Sequence, residues 1–161
     1  MSEYDRLPTD LRDAMLTVLA FAQADAATQD EVRRGFYAPR EIGRVEDPEL
    51  ETRAGLAARG LKVGGVGVSR EDAITVLLAQ RYNSFSYRMV THDGTTEETS
   101  ALFSLGSKCE HACRPVALYK VDHAGAPARF VAVADIEIGA RVSVGYVDCT
   151  MPRALRQRHC W

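Results

Sequence analysis

The sequence predicts an α+β protein whose helices come first and whose short strands follow. In the first half, apolar residues recur at spacings of three and four, as on one face of a helix. After Arg81, apolar and polar residues alternate in short runs that are rich in aromatic side chains, which favours strands. Helices grouped before strands are typical of α+β folds, whereas parallel α/β folds alternate the two.

The composition is that of an ordinary globular protein. The chain has 161 residues, 46% hydrophobic and 26% charged residues, and a net charge of −2, which favours one domain and gives no reason to expect direct nucleic acid contact. No apolar run reaches the roughly 20 residues of a membrane-spanning helix. The polar N-terminus does not resemble a signal peptide, and the four cysteines then suggest reduced thiols. We therefore expect a cytoplasmic or nuclear protein without membrane contact.

The first two helices are predicted from their N-terminal capping residues. Thr9 is expected to cap the first helix, with Asp10 in its first turn. Thr28 followed by Glu31 has the spacing of a capping box, which predicts a second, short helix that ends near Gly35.

Two further helices are predicted between residues 49 and 82. The third spans residues 49–59, with Pro48 at its first turn and Gly60 as its stop. The glycine-rich residues 62–68 lack the spacing of a dinucleotide-binding loop and are interpreted as a flexible connector. Ser69 and Asp72 form another capping-box spacing, which opens a fourth helix that continues to Tyr82.

The second half predicts short strands that are separated by polar turns. A turn is expected at residues 92–98, where Asp93-Gly94 is a hairpin signal. Residues 122–127 form a loop by composition, and a closing helix is predicted over residues 152–158. The apolar or alternating runs that predict strands are residues 83–90, 101–103, 116–121, 129–134 and 141–147.

The reactive side chains are concentrated between Ser104 and Val116. Cys109, His111 and Cys113 are possible zinc ligands, but their one-residue gaps are tighter than those of common structural sites. A cysteine nucleophile paired with His111 would need a third group to orient the imidazole, and no residue marks one. Taken alone, these residues favour inert cysteines beside a turn histidine, and no metal site is predicted.

Four segments of the second half follow one another in an informative order. They are Asn83-Ser-Phe, Leu102-Phe-Ser-Leu-Gly-Ser-Lys-Cys-Glu-His-Ala-Cys-Arg-Pro115, Phe130-Val-Ala-Val-Ala-Asp-Ile-Glu-Ile-Gly139 and Val144-Gly-Tyr-Val-Asp148. This order resembles the C-terminal half of a SET domain of the SET–MYND branch of protein lysine methyltransferases. There, Asn-Ser-Phe or Asn-Ala-Phe precedes Asn-His-Ser-Cys-x-Pro-Asn, which Asp-Ile-x-x-Gly-Glu-Glu and Ser-Tyr-x-Asp follow. The resemblance implies a helical, insert-like region over residues 1–69 and part of a SET-type β-fold over residues 70–161, within a single structural unit.

The resemblance also implies a function, that of a protein lysine methyltransferase dependent on S-adenosylmethionine, or of the portion that bears its catalytic tyrosine. Tyr146 stands at the position of that tyrosine. Asn83 would reach the amino-acid end of the cofactor, and Ser107, Glu110 and His111 would line its adenosine side. The partner would be a lysine of a histone or another protein, and the sequence does not specify which.

Several positions depart from the family pattern and keep a second interpretation open. Glu110 stands in place of an asparagine, and Ala140-Arg141 in place of two acids. The opening Gly-x-Gly segment and the closing zinc-binding cysteine cluster of the family have no counterpart here. The chain would then be a degenerate, inactive SET-like module for protein interaction, and we expect it to self-associate through uncovered strands. Whether it is an enzyme is thus left open by the sequence.

Overall fold

The computed structural model describes residues 6–36, 48–147, 151–152 and 154. Within these residues four helices precede six short strands, which confirms the predicted α+β class. The chain divides into two compact units, Met1–Ser84 and Phe85–Trp161, whereas the sequence places a boundary between residues 69 and 70.

The first unit is a cluster of four helices in which the last helix is the most deeply buried. The helices are α1 (Thr9–Gln23), α2 (Ala26–Gly35), α3 (Pro48–Val63) and α4 (Arg70–Asn83). α4 contacts each of the other three, and residues 73–79 within it are all buried. This run is almost wholly apolar, and a helix that is apolar on all sides is stable only when it is surrounded. α4 therefore belongs to the helical unit.

The N-terminal capping residues agree with the sequence prediction at one helix out of three. Ser69 caps α4 as predicted, since its hydroxyl accepts a hydrogen bond from the Asp72 amide at 2.9 Å. The Thr9 prediction is wrong, because Thr9 is already the first helical residue and Pro8 occupies the N-cap without a side-chain hydrogen bond. The Thr28 prediction is also wrong. Asp25 is the cap of α2, and its carboxylate accepts from the Thr28 amide at 2.7 Å.

The C-terminus of α3 lies beyond the predicted stop. Gly60 does not end the helix but faces α1, where an added Cβ would lie 3.1 Å from the Met15 Cε atom. The helix ends instead at Val63, and Gly65, two residues later, has a φ of 83°. The Val66 amide donates to the Leu61 carbonyl and the Gly65 amide to the Lys62 carbonyl, at 2.9 and 3.1 Å. This pair of bonds is the Schellman motif, which requires the left-handed conformation that glycine adopts.

The second unit contains three two-stranded sheets. Its strands are β1 (Ser84–Val90), β2 (Thr96–Leu102), β3 (Glu110–His111), β4 (Ala117–Lys120), β5 (Arg129–Ala132) and β6 (Ser143–Val144). β1 pairs with β2, β4 with β5 in antiparallel orientation, and β3 with β6 in parallel orientation.

Two strand predictions in this unit differ from the structure in length. β2 starts at Thr96, within the predicted turn. The sequence did not predict this start because the first five residues of the strand are exposed and polar and show no apolar alternation. The predicted run 141–147 contributes only the two residues of β6. Most of the closing helix predicted over residues 152–158 falls on residues outside those described.

Aromatic side chains form the centre of the second unit. The rings of Phe85 and Tyr119 have centroids 4.9 Å apart, and those of Phe85 and Phe130 are 5.5 Å apart in an edge-to-face arrangement. Phe103 packs on Tyr119 at 5.9 Å and on Tyr87 at 6.1 Å. Such offset and edge-to-face contacts are the arrangements that aromatic pairs prefer. This cluster supports the turn that leads into the reactive stretch.

Candidate functional site

A single turn of 3₁₀ helix, Gly106–Lys108, places the reactive stretch against the aromatic cluster. Gly106 is buried, and a Cβ at this position would lie 2.3 Å from the Phe130 Cζ atom. Only glycine lets the backbone approach the ring so closely. Ser107 closes the turn, since both its amide and its hydroxyl donate to the Phe103 carbonyl at 2.8 Å. The turn thereby fixes the direction in which the chain enters β3.

The parallel pairing of β3 with β6 brings two distant segments together. Glu110 lies opposite Ser143, and His111 lies opposite Val144. The Glu110 amide donates to the Val142 carbonyl at 3.2 Å, and the Ala112 amide donates to the Val144 carbonyl at 3.1 Å. Val144 has no exposed surface, so it anchors the pair. Tyr146, two residues after β6, consequently lies beside His111.

Tyr146 is held by both its backbone and its side chain. Its amide donates to His111 Nδ1 at 3.1 Å, and its hydroxyl donates to the Cys109 carbonyl. The Tyr146 and His111 rings have centroids 5.5 Å apart. The pKa of the Tyr146 phenol is raised above its ordinary value by partial burial, and further by Cys109 and Glu110 nearby. The phenol therefore keeps its proton at neutral pH and remains a hydrogen-bond donor.

The hydrogen bonds of His111 determine which of its nitrogens carries the proton. A backbone amide can only donate, so Nδ1 accepts from Tyr146 and the neutral ring carries its proton on Nε2. The Nε2 atom lies 3.6 Å from the Cys113 sulfur and donates to it. A neutral imidazole in this tautomer cannot take the proton of a thiol. The group that orients His111 is thus the Tyr146 amide, and it leaves an N–H rather than a proton acceptor facing the Cys113 sulfur. This arrangement does not activate a cysteine nucleophile.

The two cysteines of this segment have different surroundings. Cys113 is exposed, whereas Cys109 is partly buried, and this burial raises the pKa of its thiol. The Cys109 sulfur lies 4.0 Å from the Leu105 carbonyl, to which it donates. A thiol that keeps its proton is a poor nucleophile and a poor metal ligand.

An ion pair joins the two segments at the surface. Arg141 Nη1 donates to Glu110 Oε1, and the two side chains are 80% and 55% exposed. Glu110 and Arg141 both differ from the family pattern that the sequence resembles, and they contact each other. Sequence reasoning did not identify Arg141 as a site residue, although its charge is complementary to that of Glu110.

The structure brings together four of the five residues expected at the site within the second unit. Tyr146 contacts His111 directly, and Glu110 and Ser107 lie in the same β3 segment and the turn before it. Asn83 belongs to the first unit, at the end of α4. It is 7% exposed, and its side-chain amide donates to the Ala79 carbonyl at 2.9 Å. The Cys109 carbonyl accepts a hydrogen bond from the Tyr146 hydroxyl. The sequence could not predict this contact, because main-chain acceptors leave no signal in a sequence.

In residues 6–36, 48–147, 151–152 and 154, no three histidine, cysteine or acidic side chains are close enough together to hold a metal ion. Among the helices of these same residues, none combines the length and apolar character needed to cross a membrane.

Comparison of the chain with models of protein families finds no match, and comparison with curated proteins finds none either.

Proposed function

We propose that this chain is a protein lysine methyltransferase of the SET type, dependent on S-adenosylmethionine, or the portion of one that bears the catalytic tyrosine. The substrate would be a lysine side chain of a histone or another protein. The observation that carries the proposal is the contact of the Tyr146 phenol with the Cys109 carbonyl, beside His111. The family order requires the tyrosine and the turn of residues 107–111 to meet, and they are 35 or more residues apart in the sequence.

The chemistry of the side chains around Tyr146 suits the proposed cofactor. S-Adenosylmethionine, when bound, supplies a positively charged sulfonium methyl group that a neutral amine can attack. The oxygen atoms of Tyr146, Cys109 and Glu110 offer electron-rich partners for a cation. The Glu110 carboxylate can also accept a hydrogen bond from an adenine amino group, whereas the asparagine of the family pattern could both donate and accept. Ser107 and the backbone of His111 would complete the adenosine side.

Tyr146 would act by positioning rather than as a base. A raised pKa keeps the phenol protonated near neutral pH, so it does not withdraw the proton of the lysine. Instead, the phenol oxygen would accept a hydrogen bond from the amine while the phenol keeps its own proton and donates it in a hydrogen bond to the Cys109 carbonyl. This holds the amine in line with the methyl group, and such orientation lowers the barrier of a transfer between two bound partners. The lysine proton would leave to solvent.

A second candidate is a degenerate SET-like module that binds protein without catalysis. Asn83 favours it, because its amide is engaged with the Ala79 carbonyl inside its own helix. An amide that is used in this way would be a poor ligand for the amino-acid end of a cofactor. The two candidates differ in one property, the binding of S-adenosylmethionine.

The test is calorimetric titration of the full chain with S-adenosylmethionine, followed by methyl transfer to a mixture of histones and lysine peptides. We expect binding in the micromolar range, as is common for enzyme ligands. Tyr146→Phe should keep the affinity but lower the transfer rate about 100-fold, because it removes a group that acts on the transferring amine. Tyr82→Phe is the matched control, since Tyr82 is 49% exposed and Tyr146 is 51% exposed. Absence of binding supports the module, and a Tyr146→Phe enzyme as fast as the wild type contradicts the catalytic role.

A further inference from the structure

The parallel pair of β3 and β6 is short. Each strand has two residues, and two backbone hydrogen bonds join the segments. Buried Val144 and the hydrogen bond from the Val116 amide to Ser143 Oγ at 3.3 Å hold β6 in place. A slip of the pair by one residue turns every side chain to the other face. Such a slip would move the Tyr146 amide away from His111 Nδ1 and the Tyr146 hydroxyl away from the Cys109 carbonyl. These contacts hold β6, and a side-chain contact that joins it to the start of β3 would fix the alignment further.

The Glu110–Arg141 ion pair lies where it can provide this alignment. Glu110 is the first residue of β3 and faces Ser143, while Arg141 lies two residues before Ser143. The guanidinium therefore reaches across the start of the pair and joins the two segments through their side chains. An exposed ion pair adds little to the stability of a fold, but opposite charges can still select one register over its neighbours.

The two residues form a coupled departure from the family pattern. The family pattern has an asparagine at the position of Glu110 and an acid at the position of Arg141. In this chain the two residues are an acid and an arginine, and they contact each other. Changing only the first position would have placed two acids close together. We propose that the Glu110–Arg141 pair is a positioning element of this chain, which fixes β3 against β6 and so holds Tyr146 on Cys109 and His111. This inference rests on the proposed function only in giving Tyr146 its catalytic role.

The position of Glu110 has a second consequence for Tyr146. The carboxylate lies close enough to disfavour the phenolate, and it contributes to the raised pKa of Tyr146 together with burial and Cys109. Neutralising Glu110 should therefore lower the pKa of the phenol. A Glu110 carboxylate that lay away from the phenol would leave that titration unchanged.

The experiment compares single and double charge reversals by hydrogen exchange at the Tyr146 amide, measured by NMR on the full chain. Glu110→Arg and Arg141→Glu should each speed exchange at least about tenfold, since a hydrogen bond that opens more often exchanges faster. The double variant, which restores the pair in reverse, should return exchange to within about threefold of wild type. Reversal of Glu51 and Arg70, another exposed ion pair with a 3.0 Å contact, is the control and should leave Tyr146 unchanged.

Each result decides the inference. Single variants with wild-type exchange overturn it, and so does a double variant that behaves like the singles. If the reversals unfold the second unit, Glu110→Gln and Arg141→Gln are measured in the same way, with the Tyr146 phenol titration alongside. A phenol pKa that does not fall in Glu110→Gln contradicts the inference as well. These readouts need no activity, so loss of S-adenosylmethionine binding with intact rescue would refute the proposed function alone.

Discussion

Tyr146 shows how one residue can be fixed from two directions. Its amide is bound to a side chain and its side chain is bound to a main-chain carbonyl, so neither end can rotate without breaking a hydrogen bond. The ring is nevertheless about half exposed. A restrained phenol that stays accessible suits the proposed positioning role.

Gly106 is a position where the stability of the second unit depends on the absence of a side chain. Gly106→Ala should destabilise the second unit by about 1–3 kcal/mol, because the added methyl group overlaps the Phe130 ring and forces it to move. The measurement is urea unfolding followed by near-ultraviolet circular dichroism, which reports on the aromatic cluster. Gly67→Ala is the control, since an added Cβ there meets no atom within 4 Å. Equal stability of Gly106→Ala and the wild type would show that the turn does not press against the ring.

Residue identities predicted part of this site and could not predict the rest. The expectation that Tyr146 and residues 107–111 share a site came from the family resemblance, and the Tyr146 hydroxyl donates to the Cys109 carbonyl within those residues. The closeness of Gly106 to Phe130 and the use of the Cys109 carbonyl depend on three-dimensional approach. A glycine in a sequence does not state what lies against it, and a carbonyl is present at every residue.

At the scale of elements, the helices were predicted better than their ends. All four exist close to the expected positions, because apolar periodicity records burial over many residues. The caps of α1 and α2 were misplaced because Thr9, Asp25 and Thr28 are all suitable capping residues, and the choice among them depends on where the chain enters the helix. The antiparallel pairing of β4 with β5 joins strands that follow one another in the sequence. The parallel pairing of β3 with β6 links segments about 30 residues apart and has no local signal.

Ser69 and Thr9 contribute differently to the stability of the helices that they begin. Ser69→Ala should lower the free energy of unfolding of the first unit by about 1 kcal/mol, because the Asp72 amide loses its acceptor. Thr9→Ala should change it by no more than a few tenths of a kcal/mol, since Thr9 lies inside α1 and alanine is the better helix former. Far-ultraviolet circular dichroism during urea unfolding measures both. A larger loss of stability for Thr9→Ala than for Ser69→Ala would show that Thr9 caps α1, as the sequence predicted.

At the scale of the whole molecule, the two units differ in what fills their interiors. The first buries small and aliphatic side chains between helices, including Ala54, Ala57 and Val18. The second relies on aromatic rings that are only partly buried and on sheets of two strands each, so its described strands all have an edge open to pairing. The second unit is accordingly where association with another chain is expected.

One face of the β4–β5 hairpin supports the prediction of self-association. Leu118 lies opposite Val131, and the Val133 amide bonds to the Val116 carbonyl, which places Leu118, Val131 and Val133 on one face. They are 50%, 43% and 54% exposed. Sedimentation velocity from roughly 5 to 100 µM, a range in which uncovered apolar surface causes association, should show growing oligomers.

Val131→Glu should shift the protein toward monomer, because it places a charge in the centre of this face. Leu16→Glu, at a residue of the first unit that is 54% exposed, is the matched control and should leave association unchanged. A wild-type chain that stays monomeric at the highest concentration would contradict the prediction. An equal effect of both substitutions would show that net charge, and not this face of the hairpin, controls association.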